Sequence, residues 1–374
     1  MLYNKFQDLN LSALGMGCMR LPMREDSSID MDATRKMVAY AFEKGINYFD
    51  TAWGYHNGES ETVMGEILKG YPRDSFYLAS KFPGYDLNNM DKVEEIFEAQ
   101  LKKCQVEYFD FYLFHCVTDS NIDAYLDKNY GICEYLVEQK KKGRIRHLGF
   151  SAHSSLSTMK RFMDTYGEHI EFCQLQINWF DWSFQNAKAK VEMMNKYNLP
   201  VWVMEPVRGG SLVTVEDRYE QQLKALRPDA SVVEWAFRFV QSIPSVTMTL
   251  SGMSNQQQLE DNITTYETSK PLNDKEMSVL LNIANEMTSK NTLPCTACSY
   301  CTTYCPQQLN IPMIISLYNE GIKSDSGFVV PETINSFSDD KKPSACISCQ
   351  ACEAVCPQNI QISEMMSNFS AKMK

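Results

Sequence analysis

The sequence predicts an α/β fold in two parts: a closed (β/α)8 barrel of the TIM type over residues 1–290, then a small helical domain rich in Cys over residues 291–374. Three observations predict it. From Leu14 to about Asn262, short β-branched or aromatic runs alternate eight times with amphipathic helical stretches, the pattern of repeated βα units around a parallel sheet. No Gly-x-Gly-x-x-Gly turn follows the first run, which favours a closed barrel over a doubly wound sheet. Beyond Asn291 the composition shifts to Cys, Pro and Thr, and eight of the 13 Cys fall into two tight clusters.

Taken in order, the strand candidates are Leu14 to Cys18, Ile46 to Asp50, Phe76 to Ser80, Phe109 to Phe114, Arg146 to Phe150, Phe172 to Ile177, Val201 to Met204 and Thr247 to Leu250. Between them, Asp32 to Lys44 carries Val38, Ala41 and Phe42 at helical spacing, and Val93 to Cys104 carries Ile96, Phe97 and Leu101. Gly45, Gly70 and Gly143 each stand beside a basic residue, which predicts helix ends closed by a left-handed glycine near the negative end of the helix dipole. A further amphipathic helix, Asn273 to Lys290, leads away from the barrel. Between the Cys clusters, Pro312 to Gly321 reads as helical and Lys323 to Ser344 as a connection without periodicity.

Length and charge bound the function. The 374 residues exceed one barrel and leave room for a second, small domain. No apolar run approaches the roughly 18 residues of a membrane helix, and Met1 to Asn10 mixes Lys5 and Asp8 with apolar residues instead of forming a secretory signal. The expected address is cytoplasmic. A net charge of −11 argues against a nucleic-acid partner and suits a basic protein partner.

Cys295-x-x-Cys298-x-x-Cys301-x-x-x-Cys305-Pro306 recurs as Cys346-x-x-Cys349-x-x-Cys352-x-x-x-Cys356-Pro357. Each copy resembles the bacterial ferredoxin run that ligates [4Fe-4S] clusters. Three thiolates on one tight turn can face one cube, while the fourth, beyond the turn and held by Pro, reaches the neighbouring cube. The expected ligand sets are therefore crossed: Cys295, Cys298, Cys301 and Cys356 on one cluster, and Cys346, Cys349, Cys352 and Cys305 on the other. Zinc ribbons also use Cys-x-x-Cys pairs, but they need two per knuckle and no third Cys followed by Cys-Pro. Residues 306–345 between the runs, with their helical stretch, resemble the α-helical ferredoxin arrangement. Cys18, Cys104, Cys116, Cys133 and Cys173 sit in predicted strands or helices, where Cys acts as a small buried hydrophobe.

Asp50-Thr51-Ala52-Trp53-Gly54-Tyr55 closes the second predicted strand, Ser80-Lys81 the third and Leu113-Phe114-His115 the fourth. In a barrel the C-terminal ends of the strands form the active-site face. Asp50, Tyr55, Lys81 and His115 resemble the catalytic tetrad of the aldo-keto reductase family, in order and on the corresponding strands. The similarity runs from residue 1 to about 265 and includes Gly58-Glu59-Ser60-Glu61, Gly149-Phe150-Ser151, Gln176, Glu205-Pro206-Val207-Arg208-Gly209-Gly210, and Ser251-Gly252-Met253 through Asn262. Family members with an iron-sulfur extension share this layout.

The resemblance implies reduction of an aldehyde or ketone by hydride from NADP or NAD. Charge then develops on the carbonyl oxygen, so the site needs a proton donor and neighbouring hydrogen-bond donors or positive charge. Tyr55 is the expected acid, Lys81 the cation expected to lower its pKa, Asp50 the anion that orients Lys81, and His115 a donor to the substrate oxygen. By the same resemblance Ser151 and Gln176 hold the nicotinamide carboxamide, although Ala152 stands where many members carry Asn. Met204 lies where many members stack a Tyr, and its sulfur can pack on the ring instead. Gly209 and Gly210 permit close approach to the pyrophosphate. Ser251, Met253, Ser254, Gln258 and Asn262 are further expected cofactor residues; at the adenosine end Ser254 and Gln258 stand where NADP users often carry Lys or Arg, which leaves NADP and NAD both open. Trp53, Tyr85 and Trp179 are expected near the pocket, as substrate wall or as rim packing. His56, His147, His153 and His169 show no ligand spacing.

Two functions fit the residues. One is a carbonyl reductase whose clusters are structural, sense redox state or pass electrons to a partner flavoprotein. The other is an electron-transfer protein whose barrel docks that partner without turnover at the tetrad. A hydride carries two electrons and a cluster one, so direct exchange between nicotinamide and cluster is unfavourable without an intermediary.

Overall fold

The computed structural model describes residues 1–288, 292–323, 334 and 337–372. The chain divides into two compact units, residues 1–207 with 212–280, and residues 208–211 with 281–374. The first unit is the barrel. A hairpin of β1 (Tyr3–Phe6) and β2 (Leu9–Ser12) precedes eight parallel strands: β3 (Leu14–Gly17), β4 (Tyr48–Asp50), β5 (Tyr77–Phe82), β6 (Phe109–Val117), β7 (Ile145–Ala152), β8 (Phe172–Gln176), β9 (Val201–Met204) and β10 (Val246–Gly252). These eight close in sequence order, with β10 pairing back to β3. All eight predicted strands are present, and several run longer than predicted because the strand ends carry polar residues into the site.

The helices form where caps and apolar spacing agree. Met31–Glu43 starts at Asp30, whose carboxylate accepts from the N–H groups of Asp32 and Ala33. Val93–Cys104 spans the predicted residues, with Glu94 and Glu95 in its first turn and Lys102 and Lys103 in its last, the favourable order for the helix dipole. Gly45 and Gly143 take left-handed φ of 87° and 74°. Gly70 does not: its N–H instead donates to Ile67 O at 3.3 Å in an ordinary tight turn after Leu68. The helix predicted from Asn273 to Lys290 is observed as Asp274–Thr288, with residues 289 and 290 outside the described residues. No helix among the described residues is long and apolar enough to cross a membrane.

The hairpin, which the strand pattern does not reveal, covers the N-terminal end of the barrel. Phe6 and Leu11 are buried with Tyr48, Phe172, Trp202 and Met248, and the Phe6 and Trp202 rings meet edge to face at 5.1 Å. Asn4 Nδ2 donates to Thr247 O at 2.8 Å and Gln7 Nε2 to Glu171 at 2.8 Å, fastening the hairpin to the starts of β10 and β8.

Helix Ser60–Leu68 lies against helix Val93–Cys104 at Gly65, where a Cβ would fall 2.4 Å from Lys103 O and 2.6 Å from Cys104 C. Backbone atoms cannot give way as a side-chain tip can. Gly65→Ala is therefore expected to destabilise the protein by about 1–3 kcal/mol, read as a lower denaturation midpoint; an unchanged midpoint would contradict this packing.

The second unit is built twice over with an offset of 51 residues. Helix Tyr300–Thr303 corresponds to Ala351–Ala354, and Ile311–Lys323 to Ile362–Lys372. Left-handed backbone repeats with them, at Ala297 and Ser348, Ser299 and Gln350, and Gln308 and Asn359. The core repeats too, with Leu309, Ile311 and Ile314 of one half buried beside Ile360, Ile362 and Met365 of the other. The helix predicted from Pro312 to Gly321 is present. Of the connection predicted from Lys323 to Ser344, residues 324–333, 335 and 336 lie outside the described residues.

Candidate active site and cluster cradles

The parallel register sets the ends of β4, β5 and β6 side by side: Asp50 pairs with Ala79, and Lys81 with Leu113. Asp50, Lys81 and His115 thereby converge at the C-terminal mouth. Tyr55 arrives from the loop after β4, through a turn in which His56, Asn57 and Gly58 all adopt left-handed φ, at 51°, 54° and 90°. Two contacts hold that turn. His56 Nε2 accepts from Leu21 N at 3.0 Å, and Lys103 Nζ donates to Gly58 O at 3.3 Å while lying 3.8 Å above the Trp53 ring.

Lys81 is the hub. Its Nζ donates to Asp50 Oδ1 at 2.5 Å, to Thr51 O at 2.8 Å and to Tyr55 Oη at 3.3 Å. The ion pair is almost wholly buried, with side chains 1% and 3% exposed. The rings of Tyr55 and His115 are 6.0 Å apart, edge to face, and Tyr85 stands edge-on to His115 at 5.3 Å. Trp179 is fully buried in the barrel.

Burial sets the protonation states. It pushes Asp50 up against the opposing pull of Lys81. It holds His115 well below its usual 6.5, with the Lys81 charge adding to the effect, so the imidazole is neutral. Burial and then the Asp50 carboxylate drive the Tyr55 phenol well above 10. This differs from the expectation that Lys81 lowers the phenol. The ammonium is 2.5 Å from Asp50 and 3.3 Å from Tyr55, so the phenol faces an ion pair whose charges largely cancel.

Sequence reasoning missed the polar layer that supports the hub. Glu61 Oε1 accepts from Ser80 Oγ and Gln100 Nε2, each at 2.6 Å, and Gln100 Nε2 also reaches Lys81 O at 3.0 Å. Tyr112 Oη donates to Gln100 Oε1 at 2.5 Å, and Thr51 and Ser60 share a hydroxyl bond of 2.9 Å. The Gly58-Glu59-Ser60-Glu61 segment was the available signal.

Of the residues expected around a nicotinamide cofactor, Ser151, Gln176, Met204 and Ser251 end four successive strands, β7 to β10. Cys116, directly after His115, is left-handed at φ 57°, and its N–H donates to Ser151 Oγ at 2.7 Å. That leaves the Ser151 hydroxyl proton available to a ligand. Met253 is buried, Asn262 Nδ2 donates to Ser251 Oγ at 3.2 Å, and Ser254 N donates to Gln258 Oε1 at 2.8 Å. Beside Ser254 opens a cleft of about 1310 Å³ whose walls bring Arg24 and Lys36 together with Asp30, Asp32 and Glu43. Gly209 and Gly210 take left-handed φ of 64° and 99° within the 208–211 segment of the second unit.

In the second unit the thiols fall into two groups around separate cavities. Cys295, Cys298, Cys301 and Cys356 line one; Cys305, Cys346, Cys349 and Cys352 line another. Each cavity thus takes three Cys from one run and the fourth from the other. Among the described residues no three His, Cys, Asp or Glu side chains converge closely enough for a single metal ion. Thiols spread around a void suit a group of several atoms. The walls are otherwise largely apolar, and N–H groups point at sulfur, Ala297 N to Cys295 Sγ at 3.4 Å and Leu309 N to Cys305 Sγ at 3.5 Å. Burial and neighbouring Cys push the Cys301 thiol up to about 12, as burial, Glu353 and neighbouring Cys do for Cys352, so their free thiols keep their protons until a metal displaces them.

The aldo/keto reductase family model matches residues 13–285, and a 4Fe-4S dicluster domain model matches residues 294–360. A probable aldo-keto reductase of Glycine max is 28% identical over 212 residues, spanning 54% of this chain and 58% of that protein. An aldo-keto reductase from Bacillus halodurans in its holo form superposes with a TM-score of 0.62 at 24% identity, covering 76% of this chain and 96% of that one. An aldo/keto reductase from Klebsiella pneumoniae in complex with NADP and acetate gives a TM-score of 0.60 at 19% identity, covering 75% and 93%. At these identities the two structures bear on the fold alone.

Proposed function

Because the chain belongs to the aldo/keto reductase family, we propose that it is an NAD(P)H-dependent oxidoreductase that reduces an aldehyde or ketone, with a barrel domain over residues 1–290 and a domain binding two [4Fe-4S] clusters over 291–374. The observation that carries the reading is the Lys81 ammonium set between Asp50 and the Tyr55 phenol at the barrel mouth. A bound nicotinamide supplies hydride to the carbonyl carbon. The chain supplies the rest. Tyr55 keeps its proton in the free protein and delivers it to the oxygen as negative charge grows there. Neutral His115 donates an N–H to the same oxygen and fixes its direction. Lys81, held in place by Asp50, steadies the phenolate left behind until solvent returns the proton.

Ser151 and Gln176 hold the carboxamide, Met204 packs on the nicotinamide ring, Gly209 and Gly210 approach the pyrophosphate, and Ser251, Met253, Ser254, Gln258 and Asn262 hold the adenosine side. The crossed Cys sets hold the clusters, which supply one-electron chemistry suited to a redox partner such as a flavoprotein. A reducing compartment, the cytoplasm, suits these thiols.

The test is made without oxygen on the cluster-loaded protein. NADH or NADPH is mixed with a panel of aldehydes and ketones, and cofactor oxidation is followed beside cluster absorbance. Carbonyl-dependent oxidation is expected. Reduction of the clusters without carbonyl turnover would replace this reading with that of an electron-transfer protein. Because His115 is neutral well below 6.5 and Tyr55 keeps its proton well above 10, kcat for reduction is expected to stay level as pH falls through 6.5. A pH–rate profile with an acid limb centred at 6.5 would remove His115 from this role.

A further inference from the structure

A buried carboxylate at the barrel mouth has no part in proton delivery. Asp181 opens the short helix Asp181–Phe184 and is fully buried, as is Asn178, and Gln176 is 7% exposed. Asp181 Oδ2 accepts from Gln176 Nε2 at 2.7 Å and from Asn178 Nδ2 at 2.8 Å. Asp181 N donates to Asn178 Oδ1 at 2.8 Å, and Asn178 Nδ2 reaches Glu205 O beyond β9 at 3.1 Å. The carboxylate is thus held on both sides.

A glutamine amide left to itself can present either its oxygen or its NH2, because the two ends are nearly the same shape. A carboxylate only accepts, so Asp181 takes the NH2 of Gln176 and turns Oε1 away. Burial with the Lys190 charge lowers the neighbouring His153 to about 3, so no imidazolium competes there for the Gln176 oxygen. On β7 the polarity is the reverse. Ser151 Oγ already accepts from Cys116 N at 2.7 Å, so what it offers a ligand is a donor.

We infer that Asp181 is a positioning residue that fixes Gln176 as an acceptor, so that Gln176 and Ser151 together read a primary carboxamide in one orientation, NH2 toward Gln176 and C=O toward Ser151. The inference rests on the cofactor reading above. It names the chemical selectivity of that site: an amide is accepted, and a group that keeps the carbonyl but lacks NH2 forfeits one hydrogen bond. A single rotamer of the carboxamide in turn favours one face of the pyridine ring toward the substrate.

The probes are NAD(P)H, its 3-acetylpyridine analogue, in which a methyl group replaces the NH2, and ADP-ribose, which lacks the ring. Dissociation constants are measured by tryptophan fluorescence on the cluster-loaded protein. The native protein is expected to prefer the nicotinamide form by about 3–10-fold, the worth of one net hydrogen bond. In Asp181→Asn the amide of Gln176 is free to turn, and the preference is expected to fall below about 2-fold with ADP-ribose affinity unchanged. Gln176→Leu, which removes the amide without touching Asp181, should lose the preference in the same way. A preference retained in Asp181→Asn overturns the inference. So does an equal weakening of all three ligands, which a purely structural role would produce. If the native protein binds ADP-ribose but neither dinucleotide, or none of the three, the cofactor reading itself has failed, and the result is distinct from either.

Discussion

Tyr55→Phe is expected to lower kcat for carbonyl reduction by about 10²–10⁴-fold, with NAD(P)H affinity and thermal stability close to native. The substitution removes one hydroxyl, whose bond to Lys81 is long at 3.3 Å, and leaves the ring in its contact with His115. What it takes away is the phenol proton in direct contact with the buried Lys81–Asp50 pair. Lys81→Met is a poorer probe, because it strands the Asp50 carboxylate, 2% exposed, without its cation and so is expected to cost about 3–5 kcal/mol of stability as well as activity. Single-turnover rates for Tyr55→Phe separate chemistry from product release. A rate within threefold of native would show that the proton comes from elsewhere.

Cys305→Ala is expected to abolish the cluster cradled by Cys346, Cys349 and Cys352 and to spare the one cradled by Cys295, Cys298 and Cys301. This is the crossed ligation expected from the two Cys runs. The lining of the two cavities supports it: Cys305 lines the same void as Cys346, Cys349 and Cys352, whereas Cys356 lines the other. Iron is expected to fall from about eight to about four atoms per chain, and Cys356→Ala should give the same stoichiometry with the other cluster lost. Electron paramagnetic resonance of the reduced variants distinguishes the survivors. A Cys305→Ala spectrum that matches Cys349→Ala is expected, and one that matches Cys298→Ala would mean that ligation is not crossed. Each fourth thiol also ties one half of the duplicated unit to the other, so loss of either is expected to raise amide exchange in both long helices, Ile311–Lys323 and Ile362–Lys372.

The sequence reveals what is local. Helix Val93–Cys104 is legible to the residue because apolar spacing, acidic start and basic end agree within one segment. The cluster ligands are legible for the same reason, since three of four lie within one turn of chain. The hairpin Tyr3–Ser12 is hidden because its strands are four residues each and its turn places Gln7, not Gly or Asn, at a left-handed φ of 54°. Glu61, Gln100 and Asp181 are hidden for another reason. Their partners are fixed by tertiary contact, as Glu61 with Gln100, and a buried polar residue looks in sequence like any exposed one. The expected lowering of the Tyr55 phenol is outweighed by burial and by Asp50, because sequence supplies the neighbours of a charge and not their depths or distances.

The hairpin and the packed barrel interior together leave the C-terminal mouth as the approach to Lys81 and Tyr55. With Phe6 and Leu11 packed into the floor, the proposed reaction would bring the carbonyl, the alcohol made from it and the water that reprotonates Tyr55 through the same opening. Traffic is therefore sequential: the alcohol has to clear the doorway before the next carbonyl can enter, and accumulated alcohol is expected to slow turnover by occupying the passage its precursor needs.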